Sequence, residues 1–202
     1  MEQSKIQHLA EAVMERIFIP LEASARHVHL TSAQCQQLFG EELIPQRPLS
    51  QPGQFLAKQR LTLIGPKGRF ERVAVLGPAR KEAQVELSLT DCRALGIEAP
   101  IRQSGDVAHS PGIILEGPGG RIGLQNGVIV AQRHLHLTPQ AATLFGVTDK
   151  QIVTLQTYTE RPIQFQDVVV RISSQFSNAA HLDFDEANAC GMKEGDLGRI
   201  VP

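Results

Sequence analysis

The sequence lacks a large excess of charge and a long apolar run, and its first residues lead us to expect no secretory leader. It carries 20 lysine and arginine residues against 21 aspartate and glutamate residues, and the formal net charge over 202 residues is -1. Because the basic residues are spread along the chain, their pattern argues against a nucleic-acid-binding protein, although it leaves room for a local phosphate pocket. No apolar run approaches the roughly 20 residues that span a bilayer, and the N-terminus has no basic start before an apolar centre. We therefore expect a soluble cytoplasmic protein with neither a membrane nor a nucleic-acid partner.

Cysteine is scarce, and two common ligand-binding fingerprints are missing. Cys35, Cys92 and Cys190 are far apart, and none belongs to a Cys-x-x-Cys pair. An odd number of separated cysteines favours reduced thiols over a disulfide frame. The sequence has no Walker A motif and no dinucleotide-binding glycine motif. A chain of this length can bury a core as one domain or as two small ones.

The first residues carry a helical pattern. Apolar side chains recur at helical spacing over residues 3–18, which predicts an amphipathic helix. We favour the interpretation that its apolar stripe packs on the body of the chain. The alternative is a docking helix for another protein, because such helices bind in apolar grooves.

An internal repeat organises the rest of the sequence. The stretch RHVHLT at residues 26–31 returns as RHLHLT at residues 133–138, and each copy is followed by Leu-Phe-Gly. Further along, Phe70 aligns with Phe165 in a second register. Self-similarity of this kind indicates two related halves. The first half carries about a dozen extra residues, which we place at 41–56, where proline and glycine predict a loop that is a candidate ligand-binding element.

Short β runs separated by glycine- and proline-containing turns predict a mainly β fold with short helices. We expect two related small β-barrels built from the tandem repeat, together with the N-terminal helix. The predicted bounds are 1–18 for the helix, 19–117 for the first barrel and 118–202 for the second. Exchange of strands between the two halves stays open.

Histidine provides the strongest chemical signal. Because side chains alternate along a strand, each His-x-His stretch places two imidazoles on one face. The internal alignment adds one further residue to each pair. The two predicted groups are His27, His29 and Glu86, and His134, His136 and His181. Three nitrogen or oxygen ligands leave one position open, as in catalytic zinc sites. Coincidence is the alternative, but five of the seven histidines fall at repeat-related positions, and only His8 and His109 do not.

The residues around these groups repeat as well. In each half, a ligand and a leucine precede a helix-capping residue, a short helix and a glycine that suits the left-handed position after the helix. The predicted caps are Thr31, Ser88, Thr138 and Asp183. Free amides at a helix start favour anions, so the same places suit phosphate.

Three arginines lie near the predicted ligands. Arg80 aligns with Gln175 in the other half, and its forked guanidinium suits phosphate, although a single arginine is more often a surface residue. Arg26 and Arg133 alternate with the ligands along their strands. We expect both to point away from the metal face and to serve structure or contact the ligands indirectly.

Several motifs together resemble a known family. RHVHL, QPGQF, LGPAR followed by QVELS, SGD with SPG, RHLHL and AHLDFDEAN are similar to those of the PduL-type phosphate propanoyltransferases (phosphotransacylases). The resemblance covers nearly the whole chain from about Ile19, and the paired RHxHL motif is specific.

The resemblance implies two β-barrels around a dinuclear zinc site, with two Zn²⁺ per chain. It implies that the enzyme interconverts a short-chain acyl-CoA (propanoyl-CoA or acetyl-CoA) plus phosphate with acyl-phosphate plus coenzyme A. A dinuclear zinc hydrolase of a thioester or phosphoester is the alternative, because an open zinc position also activates water. A second alternative is a non-catalytic metal-binding member that scaffolds an assembly through the N-terminal helix.

The resemblance also implies roles for individual residues and partners. The first histidine group would hold the zinc that faces the CoA sulfur, the second group its neighbour, and Arg80 the phosphate. Ser24, Arg47, Leu76 and Asn188 fall where the family approaches CoA. Relatives often work in bacterial microcompartments, including those for propanediol degradation. The resemblance therefore allows the N-terminal helix to bind shell or cargo proteins as partners. A homo-oligomer also stays open.

Overall fold

The computed structural model describes residues 13–14 and 17–201. The predicted helix at residues 3–18 lies almost entirely outside this part of the chain. The described residues form a mainly β structure with four short helices. No helix among them is long and apolar enough to cross a membrane.

The elements follow one another in a regular order. The strands are β1 (Ile19–Ser24), β2 (His27–His29), β3 (Pro45–Pro48), β4 (Phe55–Ile64), β5 (Arg69–Gly77), β6 (Gln84–Leu87), β7 (Ile101–Arg102), β8 (Ile114–Gly117), β9 (Gly120–Gly123), β10 (Val128–Ala131), β11 (His134–Leu137), β12 (Ile152–Tyr158), β13 (Gln164–Ile172), β14 (Ala179–Asp183) and β15 (Leu197–Val201). The helices are α1 (Ser32–Phe39), α2 (Leu89–Leu95), α3 (Pro139–Phe145) and α4 (Phe184–Cys190).

The chain divides into two compact units. The barrel unit comprises the described residues up to Ser24 together with 133–182 and 186–201, and the sheet unit comprises residues 25–132 and 183–185. In the barrel unit, six strands close in the order β1-β14-β11-β13-β12-β15. In the sheet unit, the order is β7-β10-β6-β2-β5-β4-β8-β9, with β3 paired to β4.

These pairings differ from the predicted architecture in the number of closed barrels. The described residues contain one closed barrel where the sequence predicted two, since the second sheet ends at β7 and β9. Long-range pairing joins distant stretches of the chain: β1 pairs with β15, β8 with β4 and β10 with β6. The predicted domain bounds stay a prediction. The tandem repeat itself stays a prediction.

Alternating burial builds the core of each unit. In the sheet unit, Leu61 and Leu63 on β4 face the core with Val73 and Val75 on β5, and these two strands form an antiparallel hairpin. β8 and β9 form a second hairpin. In the barrel unit, the core includes Leu135, Leu137, Leu155, Val168, Val170 and Leu182. Each buried leucine contributes about 1.5–3 kcal/mol of apolar burial to folding.

The predicted loop at residues 41–56 contains the strand β3 and the first two residues of β4. β3 pairs antiparallel with β4 and is exposed along its whole length. Pro45 and Pro48 stand at its two ends, which suits an edge strand because proline cannot donate to a neighbouring strand. Because proline has no backbone N–H to donate, these prolines also favour a loop when the sequence is considered alone.

Three helices begin and end as the sequence predicts. In each, the cap side chain accepts a hydrogen bond of 3.2 Å from the backbone N–H three residues later. These caps are Thr31, Ser88 and Thr138. The glycines that follow these helices, at φ of 70°, 72° and 67°, are Gly40, Gly96 and Gly146. Each of these helices begins directly after a strand that carries a predicted histidine or glutamate ligand. Local capping interactions therefore fix where each helix begins and ends.

Candidate functional site

The first histidine group lies on adjacent strands of the sheet unit. β2 pairs antiparallel with β6, which places His27 opposite Glu86 and His29 opposite Gln84. His27, His29 and Glu86 are buried, and each offers a ligand atom within 4.8 Å of the others. The structure thus brings together the three side chains predicted for this group.

The second group has the same local arrangement in the barrel unit. β11 pairs antiparallel with β14, and His134 lies opposite His181. His136 Nδ1 is 3.1 Å from His181 Nε2, and the ligand atoms of all three histidines lie within 4.8 Å of one another. Leucines that alternate with His134 and His136 face the barrel core, so the imidazoles lie on the opposite face of the strand.

Electrostatics favour the metal-binding form of two of the three side chains in the first group, Glu86 and His29. Burial acts to raise the pKa of Glu86, but the neighbouring His27 and His29 outweigh it and hold that pKa well below its usual range. Burial, together with His27 and Arg80, lowers the pKa of His29 well below its ordinary value. Burial also opposes protonation of His27, but the Glu86 carboxylate and the Ala25 carbonyl raise its pKa. An ionised carboxylate and a neutral imidazole are the forms that bind metal.

Both groups fit a divalent transition metal ion. In the first, His29 Nδ1 is buried and has no hydrogen-bond partner among the described residues, which is costly unless some group meets it. In the second, three imidazoles converge, and imidazole suits zinc and its neighbouring metals. Two imidazoles with a carboxylate, and three imidazoles, are both donor sets of catalytic zinc sites.

Two further side chains contact the second group. Glu22 on β1 places Oε2 at 3.7 Å from His181 Nδ1, on the side of the ring opposite the nitrogen that faces His136. The Phe176 ring lies 4.1 Å from the His136 ring, measured between centroids. Sequence reasoning missed both residues. Nothing local marks Glu22, because its position depends on β1 lying beside β14 in the closed barrel.

Arg80 is held beside the first group. Its Nη1 donates to Ser104 Oγ at 3.2 Å, and its backbone N–H donates to the Leu30 carbonyl at 2.8 Å. Gln84 Nε2 donates both to Ser104 Oγ at 2.8 Å and to Glu86. A hydrogen-bonded chain therefore runs from the guanidinium to the carboxylate. The sequence does not mark Gln84 as a site residue, and Ser104 stands out in it only as part of the SGD motif.

Arg26 and Arg133 serve structure, as their alternation with the ligands predicts. Arg26 pairs with Asp91 on α2 through bonds of 2.6 and 3.1 Å, and its Cζ lies 4.1 Å from the centre of the Phe70 ring. Arg133 Nη1 lies 3.3 Å from a carboxylate oxygen of Glu186 on α4. Each arginine thus links a His-x-His strand to a helix. That helix directly follows the strand that carries the third predicted ligand of the same group.

The predicted CoA-contacting residues lie on four different elements. Ser24 ends β1, Arg47 is exposed on β3 and Asn188 is exposed on α4. Leu76 lies on β5, and its backbone partly offsets the lowering of the His29 pKa by burial. Their contact with CoA stays a prediction.

Comparison with known proteins adds an independent line of evidence. The sequence model of the family described as phosphate propanoyltransferase matches residues 20–193. A phosphate propanoyltransferase of Clostridioides difficile is 45% identical over 205 residues, which cover 98% of each chain. The chain belongs to the phosphate propanoyltransferase family. Another phosphate propanoyltransferase, from Thermotoga maritima, is 44% identical over 200 residues, covering 98% of this chain and 95% of that protein.

Family membership confirms the resemblance that the paired RHxHL motifs indicate. The region that matches the phosphate propanoyltransferase family contains both histidine groups, Arg80 and Ser104, and also Glu22. These candidate site residues therefore all lie in the part of the chain that matches the family.

Proposed function

We propose that the protein interconverts a short-chain acyl-CoA plus phosphate with acyl-phosphate plus coenzyme A, with propanoyl-CoA or acetyl-CoA as the acyl donor. The observation that carries the proposal is the first three-ligand group, with Arg80 hydrogen-bonded into the same network as Glu86. The names of the relatives support the same activity.

We propose further that the protein binds two zinc ions, one at each group. His27, His29 and Glu86 would hold one ion, and His134, His136 and His181 the other. Zinc in such sites supplies Lewis-acid polarisation and neutralises developing negative charge. Arg80 would orient phosphate through its forked guanidinium, and Ser24, Arg47, Leu76 and Asn188 would contact CoA.

The transfer needs no nucleophile from the protein. A phosphate oxygen attacks the thioester carbonyl carbon, the C–O bond forms, the C–S bond breaks, and the phosphate proton ends on the CoA sulfur. Cysteine is a poor candidate for a covalent intermediate here, because burial raises the pKa of Cys35 and Cys92 to about 11 and also raises the pKa of Cys190. Thiols with so high a pKa hold little thiolate at neutral pH.

A CoA-release assay tests the activity. We expect the purified protein to release CoA thiol from propanoyl-CoA only when inorganic phosphate is present, and to form acyl-phosphate in equal amount. Acetyl-CoA and butanoyl-CoA in parallel would define the acyl preference. Release that proceeds equally without phosphate would favour the hydrolase, and no release at full zinc occupancy would favour a non-catalytic scaffold.

Glu22 gives a separate test of the second metal site. Because a carboxylate beside the outer nitrogen of a ligating histidine orients the ring and raises its basicity, we expect Glu22→Gln to weaken zinc binding at one of two sites by about tenfold. Competition with a chromogenic chelator would measure both affinities. Glu71→Gln, which alters an exposed ion pair with Arg69, should change neither. Two unchanged affinities in Glu22→Gln would contradict a role for this carboxylate.

Residence in a bacterial microcompartment, shell or cargo partners and homo-oligomer formation remain predictions from the resemblance.

A further inference from the structure

We infer that Ser104 is a positioning residue: its hydroxyl group holds Arg80 and, through the Gln84 amide, couples it to Glu86. The inference rests on the proposed function, and it concerns how the site is held in place for phosphate.

The Ser104 hydroxyl accepts two side-chain hydrogen bonds. It accepts from Arg80 Nη1 at 3.2 Å and from Gln84 Nε2 at 2.8 Å. It also interacts with Glu86, where it lowers the pKa of the carboxyl after the larger effects of burial and the two histidines. A serine hydroxyl can accept two hydrogen bonds and donate one. Both acceptor positions therefore serve Arg80 and Gln84, and Gln84 in turn donates to the Glu86 carboxylate.

Gln84 fixes the orientation of this network. The side chain is 2% exposed, and its Oε1 accepts from the backbone N–H of Gly105 at 2.7 Å. With its oxygen held by the backbone, the amide must present its NH₂ group to Ser104 and Glu86. The loop after β7, which carries Ser104 and Gly105, is thereby joined to β6.

The expected consequence is a change in the affinity for phosphate. Arginine has several rotatable bonds and loses freedom when it is held in one geometry. Ser104 supplies a side-chain acceptor that reduces this cost before phosphate arrives. Ser104→Ala removes that acceptor and leaves the Gln84 amide short of one partner. We expect a rise of about tenfold in the KM for phosphate, on the scale of one charge-assisted hydrogen bond. The KM for propanoyl-CoA should stay within about twofold, because the thioester makes no use of this contact.

The test compares Ser104→Ala and Ser104→Thr with the wild-type enzyme and a control. Ser174→Ala replaces an exposed serine and should leave both KM values unchanged. Threonine keeps the hydroxyl, so Ser104→Thr should recover most of the phosphate affinity. Calorimetric titration of each zinc-loaded variant with inorganic phosphate, without acyl-CoA, should give the same order of affinity. Thermal unfolding and zinc content would establish that the variants are folded and loaded.

A double-mutant cycle separates coupling from a merely structural effect. If Ser104 acts through Arg80, Ser104→Ala should change phosphate affinity by less than about twofold in an Arg80→Ala background. Additive losses, equal losses for phosphate and propanoyl-CoA, or wild-type phosphate affinity in Ser104→Ala would each overturn the inference. Failure of the proposed function would appear differently, as CoA release by the wild-type protein that does not depend on phosphate.

Discussion

Replacing His134 with alanine is expected to lower the zinc content from two ions per chain to one and to reduce acyl-phosphate formation about 1000-fold. His134 lies opposite His181 in the paired strands of the second group, so its loss leaves two imidazoles where three converged. A catalytic metal stabilises transition-state charge by several kcal/mol, and each 1.36 kcal/mol corresponds to a factor of about ten in rate.

The matched control is His109→Asn. His109 is exposed and has a φ of 57°, a backbone region in which asparagine is tolerated. We expect this variant to retain two zinc ions and an activity within about twofold of wild type. Metal content by elemental analysis, with a thermal unfolding curve for each variant, would separate loss of metal from loss of fold. Two bound ions and full activity in His134→Ala would defeat the assignment of the second group.

Replacing Arg80 with alanine is expected to raise the KM for phosphate about 100-fold and to leave the KM for propanoyl-CoA nearly unchanged. The guanidinium lies in the network that ends at Glu86, and a charge-assisted hydrogen bond to a dianion contributes about 1.5–3 kcal/mol. Arg80→Lys should recover only part of the affinity, because an ammonium offers a point charge in place of a planar fork.

Arg69→Ala is the control for charge alone. Arg69 pairs with Glu71 on the surface, and both side chains are 62% exposed, so its removal costs little. Initial rates at varied phosphate and at varied propanoyl-CoA would give the two KM values for each variant. A phosphate KM in Arg80→Ala equal to that of Arg69→Ala would show that Arg80 does not bind phosphate.

The two histidine groups illustrate how far local reasoning reaches. Strand alternation places His27 beside His29, and the internal alignment selects Glu86 as the third member from the sequence alone. The observed register of β2 and β6 places His27 opposite Glu86. The caps Thr31 and Ser88 were predicted equally well, since a cap depends on residues within one turn of the helix.

The unit to which a strand belongs depends on the strands with which it pairs, and these lie far apart in the sequence. β1 precedes the first histidine pair, yet it pairs with β15 in the unit that contains the second pair. Glu22 comes beside His181 for the same reason. A strand's own residues specify its two faces but not its neighbours, so neither fact could be read from local patterns.

The sequence by itself determined which histidines form pairs, where three of the short helices start and end, and to which family the motifs belong. These properties depend on residue type and short spacing, which a linear chain already contains. Only the tertiary structure decided which side chains surround those residues. Ser104 meets Arg80, and Glu22 meets His181, through contacts between distant segments, and such contacts arise from the strand pairing of the whole fold.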